Sequence, residues 1–377
     1  MVAAPGDKAT VRPASAGVTY GLEIAASRVT WSGISLEGFA ADGVSIGVAG
    51  RTVRDVVLAD LTVSMPRGSD GIAIYPAGTS TRPVVDGLLV ERVVVQGADL
   101  GFTVSTGPVR SVALVAVVVV NRGGDGSDSG SDGIAVESGD NVLLDGLEVT
   151  RASADGIDIK ATRVAVVSAH VHHVVRNGIK LWRGGDVIDS LVHDTGADAA
   201  IVLDAEDGET TRYRIVNTTV AFHNRATGAS SYSMTVAYDD PRAAVELEIA
   251  GSVFHGCTGP IAVSRGTRLS IRNSLLAPAP GGTVLEYAWD GQTSRTIEAS
   301  QGVAALSLAG TASANLPFGT NPRFTDPDAK TIPGFRPEPG SPLVDAGVAA
   351  APFPAYDLVR AARTQGPRPD LGPLEAR

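Results

Sequence analysis

A single cysteine, Cys257, stands among 377 residues, so no intrachain disulfide framework is possible. The residue fits a small buried hydrophobe. Aromatic residues make up only 5% of the chain and methionine appears three times, so the core must be aliphatic. Basic residues are in deficit: the formal net charge is −10. That balance argues against a nucleic-acid or anionic-membrane partner, because each needs a basic face. It does not exclude an anionic substrate held by a local basic patch. No apolar run is long enough to span a membrane. Long helical periodicity is scarce too. Forty-four glycines, 22 prolines and a valine-rich apolar set suit short strands joined by tight turns.

What is present is a repeated phrase. Asp132-Gly133-Ile134-Ala135-Val136 is followed by Asp155-Gly156-Ile157-Asp158-Ile159, then Asn177-Gly178-Ile179-Lys180-Leu181 and Ala199-Ala200-Ile201-Val202-Leu203. The glycine position recurs at spacings of 23, 22 and 22 residues. Looser copies lie at Asp42-Gly43-Val44, Asp70-Gly71-Ile72 and Leu100-Gly101-Phe102. A fixed period with a short alternating strand per unit predicts stacked coils. Further apolar segments, such as Val142-Leu143-Leu144 and Tyr213-Arg214-Ile215-Val216, supply the other strands of each coil. The expected architecture is all-β, a right-handed parallel β-helix with caps at both ends. Its expected parts are a leading cap at 1–28, the β-helix at 29–290 and a capping segment at 291–377. Asn217 and Asn273 follow matching strands and fit turns in which the amide bonds backbone groups. Stacked repeats with capped ends predict a monomer.

In each phrase the two apolar positions point inward and the intervening residues outward. One outward column then holds Ala135, Asp158, Lys180 and Val202, and its neighbour holds Glu137, Lys160, Trp182 and Asp204. Arg183 follows at the strand end. Asp132, Asp155 and Asn177 line the turn before the strands, and Arg176 precedes Asn177. Charge is concentrated on these coils. Pairs such as Glu137–Lys160 and Asp158–Lys180 also suit an exposed sheet with no function, where each contributes roughly 0.2–1 kcal/mol. An exposed Trp182 beside Lys and Arg suits stacking on a sugar ring. Asp before Gly is ordinary turn chemistry.

This pattern resembles the pectate-lyase-like superfamily of secreted β-helix proteins, across nearly the whole chain. Three families within it can be laid on these residues. Asp158-Ile159-Lys160 resembles the base strand of the chondroitinase-B and alginate-lyase type, and Leu181-Trp182-Arg183-Gly184 its next coil. Trp182 stands where that family has Arg, and Arg183 where it has His. The resemblance implies Lys160 as base, with Lys180 and Arg183 neutralising a uronate carboxylate. Pectate lyases that use calcium imply Asp132, Asp155 and Asp158 as metal ligands; Ca2+ is the one cofactor expected. Polygalacturonases imply a carboxylate pair, matched here in part by Ser131-Asp132 and Ala154-Asp155. Glu137, Trp182, Arg176 and Asp204 would bind substrate.

The leading expectation is therefore a lyase acting on a uronate-containing polysaccharide by β-elimination. Its alternatives are a glycoside hydrolase using an Asp pair and a non-catalytic glycan-binding protein. Elimination needs a deprotonated base and a neutralised substrate carboxylate, and Glu137 and Asp158 beside Lys160 oppose its deprotonation. The Pro- and Gly-rich tail, Pro339 to Glu375, resembles the choice-of-anchor segment of secreted bacterial β-helix proteins and is expected to block an open strand edge. The opening Met1-Val2-Ala3-Ala4-Pro5 resembles a mature start behind an added Met, which suggests a secreted or periplasmic protein. Gly123-Gly124-Asp125-Gly126-Ser127-Asp128 reads as a flexible loop with a single calcium-repeat match. His170, His172 and His173 read as turn or surface histidines.

Overall fold

The chain is described by a computed structural model over residues 9–15, 18–48, 50–65, 70–75, 84–105, 107–123, 131–196, 199–205, 210–222, 232–237, 243–257, 259–278, 282–347 and 355–376. Most of the Gly123–Asp128 loop, Glu206–Gly208 and Tyr238–Pro241 lie outside these residues. Two compact units result: Met1–Ala165 with Val171–Arg176, and Val166–His170 with Asn177–Arg377. Each is a stack of parallel β-helix coils with three short strands per coil. The fold is a right-handed parallel β-helix, in the sense that parallel crossovers adopt.

In the first unit the glycine-phrase strands pair in the register predicted by their spacing. Val44 lies beside Ile72, Ile72 beside Phe102, and Phe102 beside Ile134. These side chains are at most 1% exposed and form an aliphatic stack. Because alternate residues point inward, one register places the whole apolar set in the core. The third strands pair likewise, from Ala9–Val11 with Ile34–Glu37 to Val118–Val120 with Glu148–Thr150. Coil pairing is thus under way within 1–28: Ala9–Val11 and Leu22–Ile24 already have parallel partners.

The glycines of the phrase have a steric reason to be glycine. A Cβ on Gly43, Gly71, Gly101 or Gly133 would lie 2.1–2.3 Å from a valine methyl of a third strand. It would also lie 2.5–2.7 Å from the carbonyl oxygen of the next phrase glycine. The backbone approaches too closely for any side chain. Gly43, Gly71 and Gly101 lie within strands, whereas Gly133 sits at a bend just before its strand, Ile134–Asp145.

The turn that each coil does make lies between its second and third strands. Asp60, Arg92 and Ala116 in the first unit, and Ser168, Asp189, Asn217 and Asn273 in the second, all have left-handed φ of 45–55°. Asn217 and Asn273 sit at the turns predicted for them. The Asn217 amide, however, has no hydrogen-bond partner among the described residues. Its backbone N–H meets the Ala250 carbonyl at 2.9 Å instead.

In the second unit the coil strands continue to Gly310–Ser313, which pairs in parallel with Thr267–Arg272. The tail that follows bonds the last coil through Asn315 and Leu316 and then packs on a sheet face. Phe324, Phe335, Leu343, Leu358, Leu371 and Leu374 pack on Leu191, Ala221, Val253, Leu275 and Ala277. Those five alternate with the inward Val192, Val220, Phe254 and Leu276, so they face outward from their strands. The tail therefore covers a sheet face. That face is apolar, and burying it is favourable by roughly 25 cal/mol per Å². A buried arginine helps hold the cover. Arg363, 1% exposed, donates to the Asp370 carbonyl at 3.0 Å and lies 3.1 Å from Glu375 and 3.7 Å from Asp189. Cys257 is a buried thiol outside any disulfide, as expected of it.

Candidate functional site

The outward face of the first unit's phrase strands carries Asp132, Glu137, Asp155, Asp158 and Lys160. The Asp155 backbone N–H donates to Asp132 Oδ1 at 2.9 Å. The register behind this is direct: Gly133 N–H meets the Asp155 carbonyl at 2.9 Å, and Ile134 N–H meets that of Gly156 at 3.0 Å. Burial pushes the Asp132 carboxyl up to about 7, and the charges of Asp155, Asp158 and Glu137 add to the rise. Asp158 is 8% exposed although its position faces outward, and Asp155 is 5% exposed. A carboxylate taken out of water favours its neutral form or a cationic partner.

Lys160 Nζ lies 2.5 Å from Glu137 Oε2. This is the cross-strand pair expected from the repeat. Burial pulls the ammonium pKa down, but the Glu137 hydrogen bond and the charges of Asp158 and Asp132 outweigh it, so the net shift is upward. Lys160 is held as a cation. The upward shift opposes the deprotonation that a base role needs. Arg176 is exposed in the same unit, its backbone N–H donating to the Ala154 carbonyl at 3.1 Å.

The remaining expected site residues belong to the second unit. Lys180 Nζ stands 4.4 Å from the Trp182 ring centroid, a cation–π contact. Trp182 is half-buried, not exposed as expected, so the ring is engaged before any sugar arrives. Arg183 is exposed. Asp204 is 5% exposed; its Oδ1 accepts the Ala205 N–H at 2.9 Å, and its carbonyl accepts the Tyr213 hydroxyl. It is as buried as Asp155. Asn177 repeats the Asp132 device, its Oδ1 accepting the Ala199 N–H at 3.0 Å.

Three further features were not assembled by the sequence reading. In the first unit, Asp42 and Asp70 are partners in the phrase register and are 2% and 3% exposed. Asp42 is pushed up to about 7 by burial and by Asp70, while Tyr75 donates its hydroxyl to Asp70. The repeated Asp-Gly was the available signal, but burial of the pair was not legible from it. In the second unit, the imidazoles of His170 and His193 meet; their separation in sequence, 23 residues, is one coil period. His170 lies on the strand His170–Val174 and is buried, and His172 lies on the same strand. Neither is the turn residue expected; His173 alone of the three has a left-handed φ, 52°.

Thirdly, a groove of about 750 Å³ opens on the second-strand face of the second unit. Its charges are already matched. Arg214 binds Asp186 at 2.7 Å, and Glu246 accepts from Arg212 at 2.7 Å and Arg268 at 3.3 Å. The same alternation marks the second strands of the first unit, where Asp86 accepts from both Arg54 and Arg110. Such ladders fix register through opposite-charge neighbours. They read as structural.

The carboxylates of Asp132, Asp155 and Asp158 would offer a hard cation oxygen donors, but they do not converge closely enough to form a metal-ligating group.

No protein-family model and no curated protein sequence matches the chain. Solved structures give distant similarities. The pectate lyase Pel9A shares 12% identity over 96% of this chain and 98% of its own, with a TM-score of 0.37. The A-module of the Azotobacter vinelandii mannuronan C-5 epimerase AlgE4 shares 11% over 74% of this chain and 87% of its own, also at 0.37. The Dettilon tailspike protein shares 12% over 82% of this chain and 62% of its own, at 0.33. Among the described residues, no helix is long and apolar enough to cross a membrane.

Proposed function

We propose that this protein cleaves an acidic polysaccharide by acid–base hydrolysis at the Asp132–Asp155–Asp158 cluster. The observation that carries the reading is the pairing of Lys160 with Glu137 at 2.5 Å beside those three carboxyls. Lys160 is thereby a charge anchor for a substrate carboxylate, and the proton transfers fall to the aspartates. Asp132 is suited to the acid role and Asp158 to the base. Two carboxyls on successive coils can protonate a leaving oxygen and activate a water.

β-Elimination is the second reading, favoured by Lys160 standing beside these carboxyls on one face. Bound there, calcium would neutralise the substrate carboxylate and stabilise the developing negative charge. Asp132, Asp155 and Asp158 would have to draw together to hold the ion. Lys160 could then act as base only after losing Glu137.

The test is digestion of a panel of uronate-containing polysaccharides, following both new reducing ends and conjugated double-bond absorbance, with calcium and with chelator. Hydrolysis gives reducing ends without the absorbance, and Asp132→Asn abolishes them. Absorbance that depends on Lys160 moves the reading to elimination. Glycan binding with no product on any substrate makes the protein a non-catalytic binder.

A further inference from the structure

The second unit holds a pair of imidazoles that the glycan reading does not use. His170 Nε2 and His193 Nε2 are 2.9 Å apart, with the rings stacked at 29°. Both side chains are buried, at 5% and 0% exposure. Backbone geometry fixes them: the Leu191 N–H meets the Ala169 carbonyl at 2.8 Å, so the strands carrying the two rings are directly paired. His193 is oriented further. Its Nδ1 lies 2.7 Å from Asp194 Oδ2, and Asp194 Oδ1 lies 2.7 Å from Lys330 Nζ.

We propose that His170 and His193 bind a divalent transition-metal ion of the zinc, cobalt or nickel class. Metal–imidazole bonds of about 2.0–2.1 Å place two nitrogens on one ion roughly 3 Å apart. The observed 2.9 Å separation meets that requirement. A carboxylate on the far nitrogen is the outer-shell partner that fixes the tautomer of a metal-binding histidine and raises its basicity. Asp194 supplies it, its Oδ2 on His193 Nδ1 and its Oδ1 on Lys330. Imidazole donors select d-block ions over calcium or magnesium. Solvent or another donor completes the coordination.

The ion would have a structural consequence. Asp194 is tied to Lys330, and the Phe335 ring lies 4.7 Å from that of His193. Both partners belong to the tail. Orienting His193 on a metal therefore also fixes the tail on its sheet face.

The test is calorimetric titration of the full chain with zinc chloride, together with the visible spectrum of the cobalt-loaded protein. Saturable binding is expected, with a cobalt spectrum of nitrogen ligation and a raised Tm. His170→Gln and His193→Gln should each lower affinity at least tenfold, and Asp194→Asn by about 10–100-fold. These variants keep polar side chains of similar size, and far-ultraviolet circular dichroism checks that the strands persist. The first unit carries another imidazole pair, His172 and His173, with Nδ1 atoms 2.7 Å apart. Binding lost in the double variant His172→Ala/His173→Ala, but unchanged in His170→Gln and His193→Gln, would overturn the proposal. So would the absence of saturable binding.

Discussion

Asp132 and Asp155 are joined across one coil step by a single hydrogen bond, the Asp155 N–H to Asp132 Oδ1 at 2.9 Å. The bond ties a candidate acid to the backbone of the next candidate carboxylate. Position and chemistry are thus coupled: the residue that would donate a proton also fixes the rung beside it.

Asp132→Asn should separate these roles. The amide oxygen can still accept the Asp155 N–H, so the fold should persist while proton donation is lost. Turnover should fall by about 10²–10⁴-fold, with Tm nearly unchanged. Asp132→Ala should also destabilise, by about 1–3 kcal/mol for the orphaned N–H. Denaturant unfolding of both variants measures the difference. Equal destabilisation would show that the side chain acts through more than this bond.

Gly101→Ala tests the close approach along the glycine column. The added Cβ would lie 2.2 Å from a Val119 methyl and 2.5 Å from the Gly133 carbonyl oxygen. A loss of about 1–3 kcal/mol is expected from overpacking. Val119→Ala should restore only part of it, since the carbonyl stays. Full rescue by the double variant would assign the glycine to the valine contact alone.

Phe335→Ala tests the tail. The ring is 1% exposed at the centre of the cover. The expected cost is about 3–5 kcal/mol, read from chemical denaturation, with the tail becoming sensitive to proteolysis. An unchanged unfolding midpoint would mean that the tail contributes little to stability.

The pH dependence follows from Asp42, whose carboxyl rises from 3.8 to about 7. Between those values the folded chain binds a proton that the unfolded chain has released. Its contribution is complete below 3.8 and is lost as pH rises through 7. Glu375, pushed to about 7, and Asp189, pushed to about 8, act in the same direction. Tm should therefore decline as pH is raised from 4 to 8. Asp42→Asn, neutral at every pH, should flatten part of that decline; an identical slope would remove Asp42 from the account.

The fold was largely legible because one phrase recurs at one coil period and each apolar position has the same neighbours above and below. Glu137–Lys160 was legible for the same reason. The sequence could not show that Asp158 and Asp204 are buried, since alternation gives a direction and not the depth of cover. The upward pull on Lys160 was legible from Glu137 and Asp158 beside it; the opposing burial was not.

Periodicity alone determined the coil stack, its register and the grouping of charge on the phrase strands, since local spacing becomes lateral pairing in a solenoid. The tertiary structure decided what spacing does not encode: the tail on a sheet face, the Asp42–Asp70 pair under Tyr75, and His170 against His193. Each depends on how closely surfaces approach and how much water they exclude. Those quantities exist only once the coils are packed.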